Sequence, residues 1–314
     1  MSFDMTFHPR PGTTLTRAEF NAYFAGAEDW SLDGAEANYH NEDTGVYFHL
    51  SHREPDAGAA KGKAAEEGGG PRLWFSINFC RPRFFGREAR SVLAGVADDL
   101  GLMIHAEDGE AIEDGEELSE EMLRQWNQGN DWACRAILAM SGTTGLHPVP
   151  AKVLEECWLW TYQREQYAQG LFEAGSDVFV PRVMWLLHEG RAKSLAVWPN
   201  LLPTAIPKVD LVYVGRNEMP AGKKGRRTKP ALVPWDEVRK AMKGYKVKKD
   251  APLPYLLLDF GRAEDAPEEA ARYVHGLEPV EGKLEGLSPD KLLDEEEGKN
   301  DNDEDDEDDD DVVF

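Results

Sequence analysis

The sequence predicts an α+β protein of two domains, each made of antiparallel strands from hairpins with helices packed on one face, followed by a disordered acidic tail. Three observations lead there. Short stretches with apolar residues at every second position are joined in pairs by polar turns, which is the pattern of half-buried hairpin strands. Stretches with the 3.6-residue period stand singly between them, as helices laid over an antiparallel sheet do. The 314 residues, 41% apolar and 10% aromatic, suffice for two cores, whereas residues 300–314 hold ten carboxylates and only three apolar side chains. The expected units are residues 1–145, with a flexible insertion at 54–70; residues 150–280, with a long first helix and a basic loop at 223–249; and a tail from 281 to 314.

Element by element, FDMTFH reads as a strand, and Thr16 with Glu19 three residues later forms a capping box for a short helix ending near Gly26. EANYH and VYFHLSH flank the turn NEDTG, and Val46, Phe48 and Leu50 alternate with Tyr47, His49 and Ser51, giving a hairpin. The Ala/Gly/Glu/Lys-rich stretch 54–70 precedes the strand LWFSINF at 73–79. Phe85, Ala89, Val92, Val96 and Leu100 share one helical face, and Gly101 is placed to end that helix. LMIHA is a further strand, and Ser119 is expected to open a helix running through Met140 with Met122, Trp126, Ala133 and Ile137 inward.

The turn-rich stretch SGTTGLHPVP at 141–150 marks the domain boundary. A helix from 151 to about 173 carries Trp158, Trp160, Tyr162 and Tyr167. The hairpin VFVPRVMWLLH–EGR–AKSLAVW follows, its first arm demoted to an edge or bulge by Pro181. DLVYVGR, a helix from Pro234 to Gly244, the strand PYLLLDF and the helix PEEAARYVHGL complete the second half.

Charge is the most informative property. The net −24 is shared unevenly: residues 1–150 hold 12 Lys/Arg against 25 Asp/Glu, residues 151–293 hold 22 against 20, and residues 294–314 hold 1 against 14. Within the balanced middle lies an island, KKGRRTK at Lys223–Lys229 continuing through Arg239, Lys240, Lys243, Lys246, Lys248 and Lys249, with eleven cations against two acids. The acidic stretch 107–121 carries nine carboxylates and no base. Its last members suit the positive end of a helix dipole, but the others point to a negative face that steers a basic partner. Glu42, Asp43, Glu107, Asp108, Glu110, Glu113, Asp114, Glu116 and Glu117 are the partner-binding candidates, aligned with Glu28, Asp29 and Asp33. Lys223, Lys224, Arg226, Arg227 and Lys229 are the candidates for docking the acidic tail, or else for touching nucleic-acid phosphates.

Chemistry is less visible. His49 and His52 lie an odd number apart on a strand and so face opposite sides, which argues against a shared metal. GKKGRRTK lacks the spacing of a phosphate loop, and neither GxSxG nor HExxH occurs, so the sequence predicts neither cofactor nor enzyme activity. Three widely spaced cysteines, Cys80, Cys134 and Cys157, read as reduced core thiols. Without eighteen consecutive apolar residues or a basic start before an apolar stretch, the expected compartment is the cytoplasm, away from membrane.

The segments YHNEDTGVYFHL, LWFSINFCRPRFFGREA and RQWNQGND resemble an uncharacterised group of bacterial proteins of similar layout. An acidic, aromatic-rich α+β domain of this kind is also similar in type to immunity proteins of bacterial polymorphic toxins. That resemblance implies a non-enzymatic protein that neutralises or escorts a basic toxin. Immunity proteins to nuclease toxins are commonly acidic because the toxin surface they cover is shaped for a polyanion. The alternative is a nucleic-acid-associated regulator using the basic island, with the tail as an autoinhibitory lid.

Overall fold

The computed structural model describes residues 1–54, 72–105, 111–139, 145–216 and 229–295. The insertion at 55–70, Glu107, Asp108 and Glu110, the basic residues Lys223, Lys224, Arg226 and Arg227, and the tail from 296 lie outside the described residues. The protein is a mixed α+β fold with mostly antiparallel sheets.

The first half runs β1 (Ser2–Pro9), α1 (Arg17–Phe24), β2 (Trp30–Asp33), β3 (Glu36–His40), β4 (Tyr47–Arg53), β5 (Arg72–Asn78), α2 (Phe84–Asp99), β6 (Leu102–His105), β7 (Ala111–Ile112) and α3 (Gly115–Ala139). Its seven strands form one antiparallel sheet in the order β2-β3-β4-β5-β1-β6-β7. The alternation in β4 and β5 is what the sheet uses: Phe48, Leu50, Leu73, Phe75 and Ile77 are buried with Phe7 of β1. The capping box forms as expected. Thr16 accepts the Glu19 N–H at 3.2 Å, and Glu19 accepts the Thr16 N–H at 2.8 Å. α1 then buries Phe20 and Phe24. Thr16→Ala should cost about 1 kcal/mol in urea unfolding.

α2 and α3 pack together closely because two glycines replace side chains at the contact: a Cβ at Gly86 would stand 2.4 Å from the Trp126 ring and one at Gly115 2.5 Å from the Ala94 carbonyl. A third, Gly129, lets α3 approach the end of β5, where a Cβ would stand 2.6 Å from the Phe79 ring. α3 begins at Gly115, four residues before the expected start at Ser119. Asp114 supplies the cap, its carboxylate accepting the Glu117 N–H at 3.0 Å, and Ser119 is buried in the first turn, donating to the Glu116 carbonyl.

The second half runs β8 (His147–Pro150), α4 (Ala151–Tyr162), α5 (Arg164–Glu173), β9 (Met184–His188), β10 (Arg191–Trp198), β11 (Thr204–Pro207), β12 (Leu211–Val214), β13 (Ala231–Pro234), α6 (Trp235–Ala241), β14 (Val247–Lys248), β15 (Tyr255–Leu258), α7 (Glu268–Gly276), β16 (Glu285–Leu287) and β17 (Leu292–Glu295). Four differences from expectation matter. The single helix after 150 is two, broken at Gln163 (φ −98°, ψ 10°). β10 and β12 pair in parallel, β11 lying between them in sequence and joining another sheet, so the half is not purely hairpin-built. The arm expected to be an edge or a bulge at Pro181 is instead the interior strand β9, which begins at Met184, beyond the proline, and lies between β10 and β16, while ahead of it Phe179 bridges to Thr204. Residues 281–295, expected to belong to the disordered tail, include β16 on the edge of β9 and β17 in parallel with β8, with Leu292 and Leu293 buried. Burial of two adjacent leucines offsets the ordering cost that the acidic neighbours cannot. The largest buried apolar cluster takes residues from both halves, Phe84, Phe85 and Trp158 among them.

Candidate functional site

The turn 41–45 is held from within and from outside. The Asn41 side-chain oxygen accepts the N–H groups of Asp43 (3.0 Å) and Thr44 (3.2 Å), and the Gly45 N–H returns to the Asn41 carbonyl at 2.8 Å. Gly45 has φ +74° and lies against the Pro289 ring, where a Cβ would approach to 2.9 Å, so only glycine fits. This geometry sends three consecutive side chains to three different destinations: Glu42 is exposed, Asp43 reaches α5, and Thr44 turns into the core.

At the floor lies Glu88, an ionisable group wholly buried on the apolar arc of α2. Its Oε1 accepts the hydroxyls of Tyr39 (3.0 Å) and Thr44 (2.9 Å), and its Oε2 accepts the Trp158 indole N–H at 2.7 Å. The carboxyl therefore joins β3, the turn and α2 of the first half to α4 of the second. Burial pushes it up to about 6, and the hydrogen bonds from Trp158, Thr44 and Tyr39 hold it from rising further. Above it, Asp43 pairs with Arg164 at 2.7 Å and Arg182 at 3.1 Å, and Arg182 also donates to the Glu42 carbonyl at 2.8 Å. Arg164 is the first residue of α5, directly after the break at Gln163.

Over this joint opens a cleft of about 540 Å³ lined by Glu28, Asp29, Tyr39, Asn41, Glu42 and Asp43 on one side and Thr161, Tyr162, Glu165 and Gln166 on the other. Five carboxylates thus meet two guanidiniums, both of them spent on Asp43. Among the described residues, Glu28, Asp29 and Glu42 have no lysine or arginine at ion-pair distance, and Glu165 stands 3.9 Å from an Arg164 already held by Asp43. Asp29, at φ +62°, is held above the usual carboxylate range, first by burial and then by Glu28 and Asp43. The cleft carries uncompensated negative potential beside the half-exposed Tyr162 ring, a setting suited to an ammonium or guanidinium group.

Of the partner-binding candidates among the described residues, only Glu42 and Asp43 enter this cleft, together with Glu28 and Asp29 of the acids aligned with them. Asp114 caps α3, Glu116 pairs with Arg90 together with Glu120, and Glu113 and Glu117 are exposed near the start of α3. Lys229 offers its carbonyl to Arg216, at 2.7 Å from Nη2. Glu88, Arg164, Glu165 and Arg182 escaped the sequence reading. Glu88 alone left a trace: four residues from both Phe84 and Val92 and three from Phe85, it is a charge on an apolar face. His52 is a buried structural histidine, Nε2 lying 2.9 Å from the Leu15 carbonyl and Nδ1 accepting from Arg17. Among the described residues no three His, Cys, Asp or Glu side chains converge as metal ligands, and no helix is long and apolar enough to cross a membrane. Comparison with protein-family models, curated proteins and solved structures found no match.

Proposed function

We propose that this protein is a non-enzymatic, cytoplasmic binding protein that captures a basic protein partner, most simply a toxin to which it confers immunity, by taking a cationic side chain into the cleft between residues 28–43 and 161–166. The observation that carries the reading is the set of carboxylates Glu28, Asp29 and Glu42, with no lysine or arginine at ion-pair distance among the described residues while Arg164 and Arg182 are occupied by Asp43. The volume is that of a ligand pocket rather than a surface dimple. The surrounding charge of the first half would speed encounter with a cation and reject anions. The paired Asp43 is a structural member, tying the turn 41–45 to Arg164 and Arg182 of the second half.

Two measurements test it. Calorimetric titration with a deca-arginine peptide should show binding at low salt that weakens roughly tenfold or more in the triple variant Glu28→Gln/Glu42→Gln/Glu165→Gln, with deca-glutamate inert. Equal affinity in both proteins would remove the cleft from the reading. For immunity, cells expressing the product of the adjacent reading frame should survive only with this protein present; survival without it ends that version. Because cation binding favours ionised Asp29, affinity should fall on acidification.

One observation favours a second reading. Arg239, Lys240, Lys243, Lys246 and Lys249 are all exposed on α6 and the segment after it, and only Arg239 has an acidic partner, Asp236, among the described residues. A nucleic-acid contact there, relieved of competition by the acidic tail, predicts tighter low-salt binding to DNA once residues 296–314 are removed. The truncation belongs at 296 because Leu292–Glu295 pair with β8 and Asp294 accepts the Arg83 N–H at 2.7 Å.

A further inference from the structure

Away from the acidic cleft, two cysteines expected to be unrelated core thiols are in contact. Cys80 follows β5 in the left-handed region, at φ +57°, a conformation that non-glycine residues avoid. It is fixed there by Asn130 of α3. The Asn130 side-chain oxygen accepts the Cys80 N–H at 2.7 Å and the Arg81 N–H at 3.3 Å, and its amide donates to the Arg81 carbonyl at 2.8 Å. One helical turn on, the Cys134 thiol lies 3.9 Å from the same Asn130 oxygen. Cys80 is buried with Ala133 and Leu293, and the half-buried Cys134 packs against this cluster within hydrogen-bonding reach of Cys80. Cys80 also lines a cavity of about 520 Å³ with Phe79, Arg81, Ile137 and Leu146.

We propose that Cys80 and Cys134 are a redox-active dithiol that closes to a disulfide when a peroxide enters the cavity against Cys80. The assignment of roles follows from place. Cys80 lines the cavity, and burial raises its thiol above the ordinary value, partly offset by the Cys134 S–H and by Arg81. Cys134, half-buried, is not among the residues that line the cavity, and its thiol is pushed up to about 12 by burial and then by Cys80 and Asp294. The Cys80 sulfur attacks one oxygen of hydrogen peroxide, an S–O bond forming as the O–O bond breaks, and the departing hydroxide leaves as water with the Cys80 proton. The Cys134 sulfur then attacks the Cys80 sulfur, an S–S bond replaces the S–O bond, and the second hydroxide leaves as water with the Cys134 proton. Two thiols lose two electrons and one peroxide gains them. Burial of both sulfurs makes the reaction slow near neutral pH, accelerating about tenfold per pH unit as the Cys80 thiolate fraction grows.

The test uses the full chain and hydrogen peroxide itself. Thiols titrated under denaturing conditions should fall from three to one, with Cys157, fully buried in α4, remaining free. Peptide mapping without reductant should find the Cys80 and Cys134 peptides joined, and dithiothreitol should part them. In Cys134→Ser, dimedone should label Cys80, and in Cys80→Ser it should leave Cys134 unlabelled. Three thiols surviving peroxide, over-oxidation of Cys80 without a cross-link, or labelling of Cys134 in Cys80→Ser would each overturn the proposal. The first two outcomes are read on the unsubstituted protein and so do not depend on whether a variant folds.

Discussion

Glu88→Ala is expected to lower unfolding free energy by about 3–5 kcal/mol, the largest effect of any single truncation at the joint between the halves. Removing the carboxylate leaves the Tyr39 and Thr44 hydroxyls and the Trp158 N–H facing a void, and the indole N–H has no second way to be satisfied, since it can only donate. Glu88→Gln is expected to be far milder. Its oxygen can take the Trp158 N–H while its amide faces the two hydroxyls, which can rotate to accept. The same asymmetry explains how Glu88 takes up a proton: the proton resides on Oε1, against the hydroxyls, because Oε2 must go on accepting from Trp158. Glu88 holds its proton more tightly folded (about 6) than unfolded (4.5), so its contribution is complete below pH 4.5 and is lost as pH rises through 6. That difference is worth about 2 kcal/mol. Urea unfolding from pH 4 to 7.5 should therefore show the wild type losing about that much relative to Glu88→Gln, the comparison cancelling all other titrations. Parallel profiles would mean that burial does not hold the Glu88 proton.

Gly86→Ala is expected to destabilise by about 1–3 kcal/mol, against the ordinary sign for a helix interior, where alanine is favoured over glycine by about 1 kcal/mol. The reason is the neighbour. The added methyl would lie 2.4 Å and 2.6 Å from two atoms of the Trp126 ring and 2.9 Å from Leu123, and a rigid, fully buried indole cannot yield as a flexible chain end does. Differential scanning calorimetry of Gly86→Ala beside Gly95→Ala, an open position on the same helix, checks this: the first should melt lower and the second equal or higher. If both rise, α2 and α3 are not in the close contact described.

Much of the local structure was legible in the residues because it depends on near neighbours. The β3–β4 hairpin, the capping box at Thr16 and the apolar face of α2 are written in periods of two and 3.6 and in a three-residue spacing, each involving residues that the chain itself keeps close. What misled was also local. Ser119 is a good capping residue, but Asp114 had the free N–H groups of the helix start within reach. The run 151–173 is continuous in pattern, yet Gln163 leaves helical geometry and Arg164 reaches Asp43. Leu292 and Leu293 looked like the start of an acidic tail until β8 and the core received them.

The sequence by itself determined the α+β class, the extended or helical state of most segments, and an acidic character that favours cationic partners. Tertiary structure alone decided where that charge gathers into a cleft. Of the six candidate acids among the described residues only Glu42 and Asp43 reached the cleft, because hydrophobic periodicity specifies which face of an element is buried but not which element covers it. Asp43 finds Arg182 across 139 residues, Glu88 finds Trp158 across 70, and Cys80 finds the Asn130 that precedes Cys134 across 50. Contacts at such separations are selected by the packing of the whole core, in which burying a charge or a thiol becomes tolerable only once its partners have been delivered by other elements.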